Sequence, residues 1–257
     1  MIIIEGRSAD FVFFLVFVIL VVLYIYRARR GNMPSIRRLQ AIDAIEELVG
    51  RSTEMGRPIL FVADGRLDTI ESPQVIASFS VLDYLAHITA KVGARLLVSI
   101  PKALHIPLVT SIVEQAYRAE GKIDEYDEKN LRFFGEDYAN TMPTMGMISR
   151  EKPASFIILG AWQNPALTLL ESSVREGCLS IGGTANTHQL PWMVLTASYT
   201  LISEELFVAG AYLSQDPVAV STVGAGDVGR YICIGLITIG IVLKTLGISW
   251  LETLIGL

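Results

Sequence analysis

Residues 151–170, EKPASFIILGAWQNPALTLL, decide how this chain is read. SFIILG is a short apolar run without polar–apolar alternation, which is the signature of a strand buried on both faces. Asn164-Pro165 follows at once, a cap residue and a proline suited to the first turn of a helix, and Gly177 offers a left-handed stop. Strand, turn and helix within about 25 residues form one half of a βαβ unit.

The same grammar recurs on both sides. ILFVA at 59–63, RLLVSI at 95–100, a run at 178–182 and another at 199–203 are further strands. The spacing predicts helices between them. One starts at Pro34-Ser35 and presents Ile36, Leu39, Ile42, Ile45, Leu48 and Val49 on one face. Another runs from Pro73 to Val92 with Ser72 as N-cap and Gly93 as stop, and a third covers 106–119 before Gly121. Residues 136–150 read as a helix weakened by Pro143 and Gly146, and shorter helices fall near 190–197 and from Glu204 to Ser214. GKIDEYDEKN at 121–130 reads as a solvated connector. The expected fold is α/β: a Rossmann-like, mostly parallel sheet of about five strands, inserted between two transmembrane helices.

Those two helices come from the flanks. The chain has 257 residues, 51% of them hydrophobic and 18% charged, and a mean hydropathy of +0.47. Residues 11–26, FVFFLVFVILVVLYIY, carry no charge and make a helix of roughly 24 Å. A bilayer core of ~30 Å is slightly longer, so flanking residues must snorkel or the lipid thin. A signal peptide would place basic residues before the run. Here Glu5, Arg7 and Asp10 precede it and Arg27, Arg29 and Arg30 follow, which favours a retained anchor. A second apolar run begins at Tyr231, just after Arg230, and continues past Lys244 to Leu251.

The basic flanks orient both spans. By the positive-inside rule the central segment is cytoplasmic and both termini lie outside a cell membrane. The expected divisions are an external N-terminus at 1–10, a first span with its basic flank at 11–30 and an α/β domain at 31–229. A second span at 230–251 and an external tail at 252–257 complete them. Lys244 falls ~21 Å along the second span from Arg230, so it either snorkels outward or pairs with Asp10. The central segment is acidic, which argues against nucleic acid as a partner. Its expected partners are the lipid bilayer and copies of itself, with a small ligand as an open possibility.

Chemistry is sparsely signalled. In a parallel sheet, ligands gather at the carboxyl ends of the strands. Of those turns, the one after the fourth strand is richest: Gly182 and Gly183 permit close approach, and Thr184, Asn186 and His188 offer polar groups before a helix. Asn164, Glu204 and Glu205 are its expected neighbours. The alternative is that these residues cap helices and satisfy turn backbone. His87, His105 and His188 have no metal-ligand spacing, so neither a metal nor another cofactor is expected. Cys178 and Cys233 read as free, buried thiols.

One motif misleads. Gly224-x-Gly226-x-x-Gly229 has the spacing of a dinucleotide fingerprint, but an apolar span follows instead of a soluble helix and second strand. These glycines read instead as a flexible hinge at the domain boundary, with Asp227 beside Arg230.

The stretch SIRRLQAIDAIEELVGRSTEMGRPILFV, the run REKPASFIILGAW and LISEELFVAGAYLSQDP, in this order between two apolar segments, resemble an uncharacterised family of prokaryotic membrane proteins. That family is classed only as a domain of unknown function. EEL-F-x-A-x-A-Y-L-S at 204–214 carries the resemblance most specifically. It implies no activity, cofactor or catalytic residue. The functional expectation is a self-associating structural or scaffolding membrane component, the alternative a membrane-tethered enzyme or ligand sensor using the turn at 182–188.

Overall fold

A computed structural model describes residues 8–30, 39–136, 138–163, 166–214 and 217–245. The chain divides into two compact units, residues 37–214 and a second formed by residues 1–36 with 215–257.

The larger unit is built on apolar strands. β1 (Ile59–Asp64), β2 (Leu96–Ile100) and β4 (Ser155–Gly160) are buried at every position, and β5 (Leu179–Thr184) at all but the first. β3 (Leu131–Phe133) and β6 (Tyr199–Ile202) are shorter and more exposed edges. All pairings are parallel, in the order β3-β2-β1-β4-β5-β6, with Ile59 between Leu96 and Ser155. The sheet thus has six strands, one more than the sequence suggested. The addition is β3, only three residues after the charged connector and too short to register as an apolar run.

Alternate strand residues feed two cores. Ile59, Phe61, Val98, Ile157 and Leu159 meet α2 (Gln40–Met55), α3 (Ser72–Val92), α4 (Ile106–Ala119) and α8 (Glu204–Ser214) on one face. Leu60, Val62, Leu97, Phe156 and Ile158 meet α5 (Tyr138–Glu151), α6 (Ala166–Arg175) and α7 (Leu190–Thr196) on the other. The result is a three-layer sandwich, the arrangement expected for parallel strands with helical crossovers. α3 packs at the centre of its layer, against α4 and α8. It is apolar enough to cross a bilayer, yet 56% of its most apolar window is buried inside this unit.

Buried hydroxyls fix two helices to the sheet. Ser99 of β2 bonds both Asn140 Oδ1 and the Thr144 hydroxyl of α5, at 3.2 and 2.7 Å. That polar lock holds α5 in place although Pro143 interrupts its bonding ladder. Ser155 of β4 donates to the Leu48 carbonyl of α2 at 2.9 Å. The N-cap of α3 is Glu71, one residue before the expected Ser72, and Gly93 ends that helix at φ 72° as expected. The expected starts at Pro34-Ser35 and Asn164-Pro165 lie outside the described residues.

The smaller unit pairs α1 (Ser8–Arg29) with α9 (Pro217–Thr245). Gly224, Gly226 and Gly229 lie inside α9, which runs unbroken through them. The expected hinge is therefore a helix. Gly229 serves packing, since a Cβ on it would lie 3.1 Å from the Phe17 ring of α1. Phe11, Phe14, Ile19 and Leu23 of α1 and Tyr231, Ile237 and Ile241 of α9 are exposed. Over 220–242, the most apolar window is only 6% buried.

Candidate functional site

β1 and β4 are neighbours whose chains leave in opposite directions across the sheet, so the space above their ends is the switch point of the fold. A cavity of about 530 Å³ opens there, within the ~300–1,000 Å³ range of small-molecule sites. Asp64, Gly65 and Arg66 line it from the end of β1, and Thr69, Ile70 and Glu71 from the turn into α3. Lys102 follows β2, Ala161 and Gln163 follow β4, and Tyr138 opens α5.

The floor of the cavity is rigid because the ends of β1 and β4 interlock. Ala161 donates its backbone N–H to the Asp64 carbonyl at 2.8 Å, extending the ladder one step past the strand. Gly160 turns there at φ 114°, and a Cβ on it would lie 2.1 Å from the Asp64 oxygen. Gly65 has φ 129°, and a Cβ on it would meet Val75 at 2.6 Å. Neither position can hold another residue without moving backbone or core.

A dinucleotide site grips phosphate with the free N–H groups that open the first crossover helix. That grip is absent at α3. Ser72 N–H already bonds the Thr69 carbonyl at 3.1 Å and Gln74 N–H the Glu71 carbonyl at 3.0 Å, while Pro73 has no N–H. Glu71 occupies the same ground with a carboxylate. It accepts from Arg66 N–H at 3.1 Å and from the Gln163 amide at 2.6 Å. Arg66 in turn donates to both oxygens of Asp68, at 3.1 and 2.9 Å.

Behind the cavity wall lies His105, 1% exposed, in the short helical turn Ala103–His105 after Lys102. Its ring meets Phe79 edge-on at 5.2 Å. Burial pushes its pKa down from 6.5 to about 4, with the Lys102 charge assisting and the Gly65 carbonyl and Glu136 opposing. His105 is therefore neutral. Glu136 also accepts from Ala103 N–H at 3.2 Å, which covers the entry to α4.

The expected turn at 182–188 lies beside this cavity and is filled from within. Gly182 and Gly183 belong to β5, where a Cβ would meet Ala197 at 3.1 Å and Leu159 at 2.8 Å respectively. Thr184 is fully buried, and its hydroxyl accepts from Asn186 N–H at 3.1 Å. Gln74 of α3 accepts from Ala185 N–H at 2.9 Å and donates to the Asn186 side chain at 3.2 Å. Asn186 donates to the Trp162 carbonyl at 2.9 Å, and His188 lies 3.2 Å from the Gln163 carbonyl. These polar groups therefore tie α3, β4 and β5 together. Glu205 caps its own helix by accepting from Ile202 N–H at 3.1 Å, and Glu204 stands in the same first turn. Asn164 lies outside the described residues.

His87 joins α3 to α4 through Glu120 at 2.9 Å. Cys178 is buried, donates to the Pro153 carbonyl at 3.0 Å and has its pKa pushed up to about 11 by burial. Cys233, expected to be buried, is exposed on α9. Among the described residues no group of three or more His, Cys, Asp or Glu could hold a metal. Arg27 and Arg29 lie in the last turn of α1, Arg30 stacks over Tyr26 at 4.4 Å, and Arg230 reaches Asp227 at 3.4 Å. Lys244 is in the last turn of α9, while the side chain of Asp10, its partner in the alternative to snorkelling, lies outside the described residues.

Sequence reasoning missed Arg66, Thr69, Ile70, Glu71 and Tyr138, and did not join Lys102 and Gln163 to them in one cavity. The order of the strands was the missing signal.

An all-parallel sheet in this order, between two helical layers and with its cavity at the switch point, defines a doubly wound, Rossmann-like α/β protein. The chain belongs to the family described as a domain of unknown function, DUF6754, which it matches over residues 2–255. No curated protein and no solved structure matches it.

Proposed function

We propose that this chain is a membrane-anchored α/β protein whose helical unit self-associates, making it a structural component of a membrane complex. One observation carries the reading: the most apolar stretch of α9 is 6% buried. Water would penalise such a surface, and a bilayer removes the penalty. Gly226 and Gly240, which fall near one face of α9, add support for self-association. Each costs a helix about 1 kcal/mol relative to alanine, and among the described residues no atom beyond the adjoining turns of α9 lies within 4 Å of a Cβ built on either. Close approach of a helix from a second copy gives them a use. On this reading Arg27, Arg29, Arg30 and Arg230 mark the cytoplasmic surface and the α/β unit lies in the cytoplasm.

Alkaline extraction of native membranes tests the anchor, and cross-linking followed by native mass measurement in lipid discs tests the assembly. The expected result is a protein retained in the membrane pellet and recovered as an oligomer. Release into the supernatant, or a monomer in both lipid and mild detergent, overturns the proposal.

A second reading, a membrane-tethered sensor of a small ligand, is favoured by the cavity at the β1–β4 switch point. The turn at 182–188 then supports its wall through Gln163.

A further inference from the structure

We propose that the switch-point cavity takes an unphosphorylated nucleoside and discriminates against its phosphate ester. The proposal rests on the sensor reading and is independent of self-association. Its ground is the juxtaposition of a charge-balanced wall, a saturated helix entrance and an exposed apolar rim around one cavity.

Two acids and two cations line the wall, so it offers a phosphate no net positive charge. Asp64 lines the cavity and is only 7% exposed, and Glu71 lines it where α3 begins. Of the two cations in the wall, Arg66 is already held by both oxygens of Asp68. Lys102 is the other. An incoming phosphate would therefore lose water in a partly enclosed space without a surplus of positive charge to offset that loss. It would also find the first N–H groups of α3 occupied, by the Thr69 and Glu71 carbonyls, or missing at Pro73. The features that make a switch point attractive to phosphate are thus replaced one by one.

The other groups suit a neutral ligand that donates and accepts hydrogen bonds. Carboxylates at Asp64 and Glu71 accept from sugar hydroxyls, and the Gln163 amide, which already joins the wall to Glu71, offers both kinds of group. Ile70 is 93% exposed and Tyr138 64% exposed, on the turn before α3 and at the start of α5. Solvent exposure of both at the rim of one cavity is explained if a flat base lies against them. A sugar with a planar base satisfies the acids and the rim together, which a free amine or a bare sugar does not.

The test is calorimetric titration of the full-length protein in lipid discs with adenosine, guanosine, cytidine and uridine, and with each 5′-monophosphate. At least one nucleoside is expected to bind saturably, and its monophosphate at least tenfold more weakly. Ile70→Glu changes a side chain that is almost wholly in solvent, so it leaves the melting temperature unchanged and is expected to weaken the nucleoside at least tenfold. Asp64→Asn is expected to weaken it similarly, and Glu71→Gln to narrow the gap between nucleoside and monophosphate. Monophosphates binding as tightly as nucleosides overturn the proposal, as does nucleoside binding indifferent to Ile70→Glu. A parallel titration with ribose and spermidine separates two failures. If either binds in an Ile70- or Asp64-dependent manner while no nucleoside does, the nucleoside assignment falls and the sensor reading stands. If nothing binds, both fall.

Discussion

At Gly160 the backbone leaves β4 at φ 114° with the Asp64 carbonyl 2.1 Å from the place of a Cβ. Gly160→Ala therefore strains the turn and separates the β1 and β4 ends. The expected cost is about 3 kcal/mol or more, read as a lowered denaturant midpoint of the α/β unit. His105 makes a different prediction. Its ring is neutral when folded, with a pKa of about 4 against 6.5 for the free side chain. Between these values the unfolded chain binds more protons, so stability rises with pH and levels off above 6.5. Acidification from 6.5 to 4 removes on the order of 3 kcal/mol, with Lys102 and Glu136 the charged groups that face the ring. A melting curve measured against pH should show this slope, and His105→Leu should flatten it.

At the scale of elements, β3 is the most dependent on a side-chain contact. Glu151, at the end of α5, accepts from Arg132 of β3 at 2.9 Å and from Arg95, just before β2, at 3.0 Å. Partial burial works to raise its pKa, but the Arg132 bond and the Arg95 charge outweigh it and hold the carboxyl below its usual value. The clamp therefore contributes above the ordinary carboxylate range and is lost as pH falls through the lowered value. Glu151→Ala is expected to cost about 1–2 kcal/mol and to speed hydrogen exchange at residues 131–133 before the rest of the sheet.

Legibility in the sequence divided along the same lines. SFIILG and ILFVA declared themselves because a fully apolar run needs a doubly covered strand. Gly93 and Gly177 declared helix ends because αL backbone favours glycine. Leu131-Arg132-Phe133 did not, because three residues beside a charged connector have no period to detect. The glycines at 224–229 read as a hinge, yet a 29-residue helix absorbs their propensity cost by packing Gly229 on Phe17. The cavity was illegible for another reason. Apolar strands carry no record of their order, so nothing in the sequence says that the ends of β1 and β4, nearly one hundred residues apart, are adjacent. The eye goes instead to Gly182-Gly183, which are glycines for packing against Leu159, Leu201 and Ala197.

At the scale of the molecule, the division into two units has its own test. Residues 37–214 hold both cores and the whole sheet. Expressed without the flanking helices, they are expected to fold alone and to unfold in one cooperative transition by circular dichroism. Loss of secondary structure in that fragment would show that the helical unit is needed for the sheet to form.

The smaller unit is assembled from the two ends of the chain, and this imposes a schedule on synthesis. α1 leaves the ribosome before its packing partner α9, which follows only after the entire α/β unit has been made. At roughly 5–20 residues per second, the wait is on the order of 10–40 s, ample for a domain to fold. Throughout that interval Phe17 has no Gly229 to rest on, and the exposed apolar surface of α1 is at its largest. A chaperone that recognises the nascent chain meets α1 unpaired throughout that interval, and only translation of α9 supplies the surface that covers Phe17.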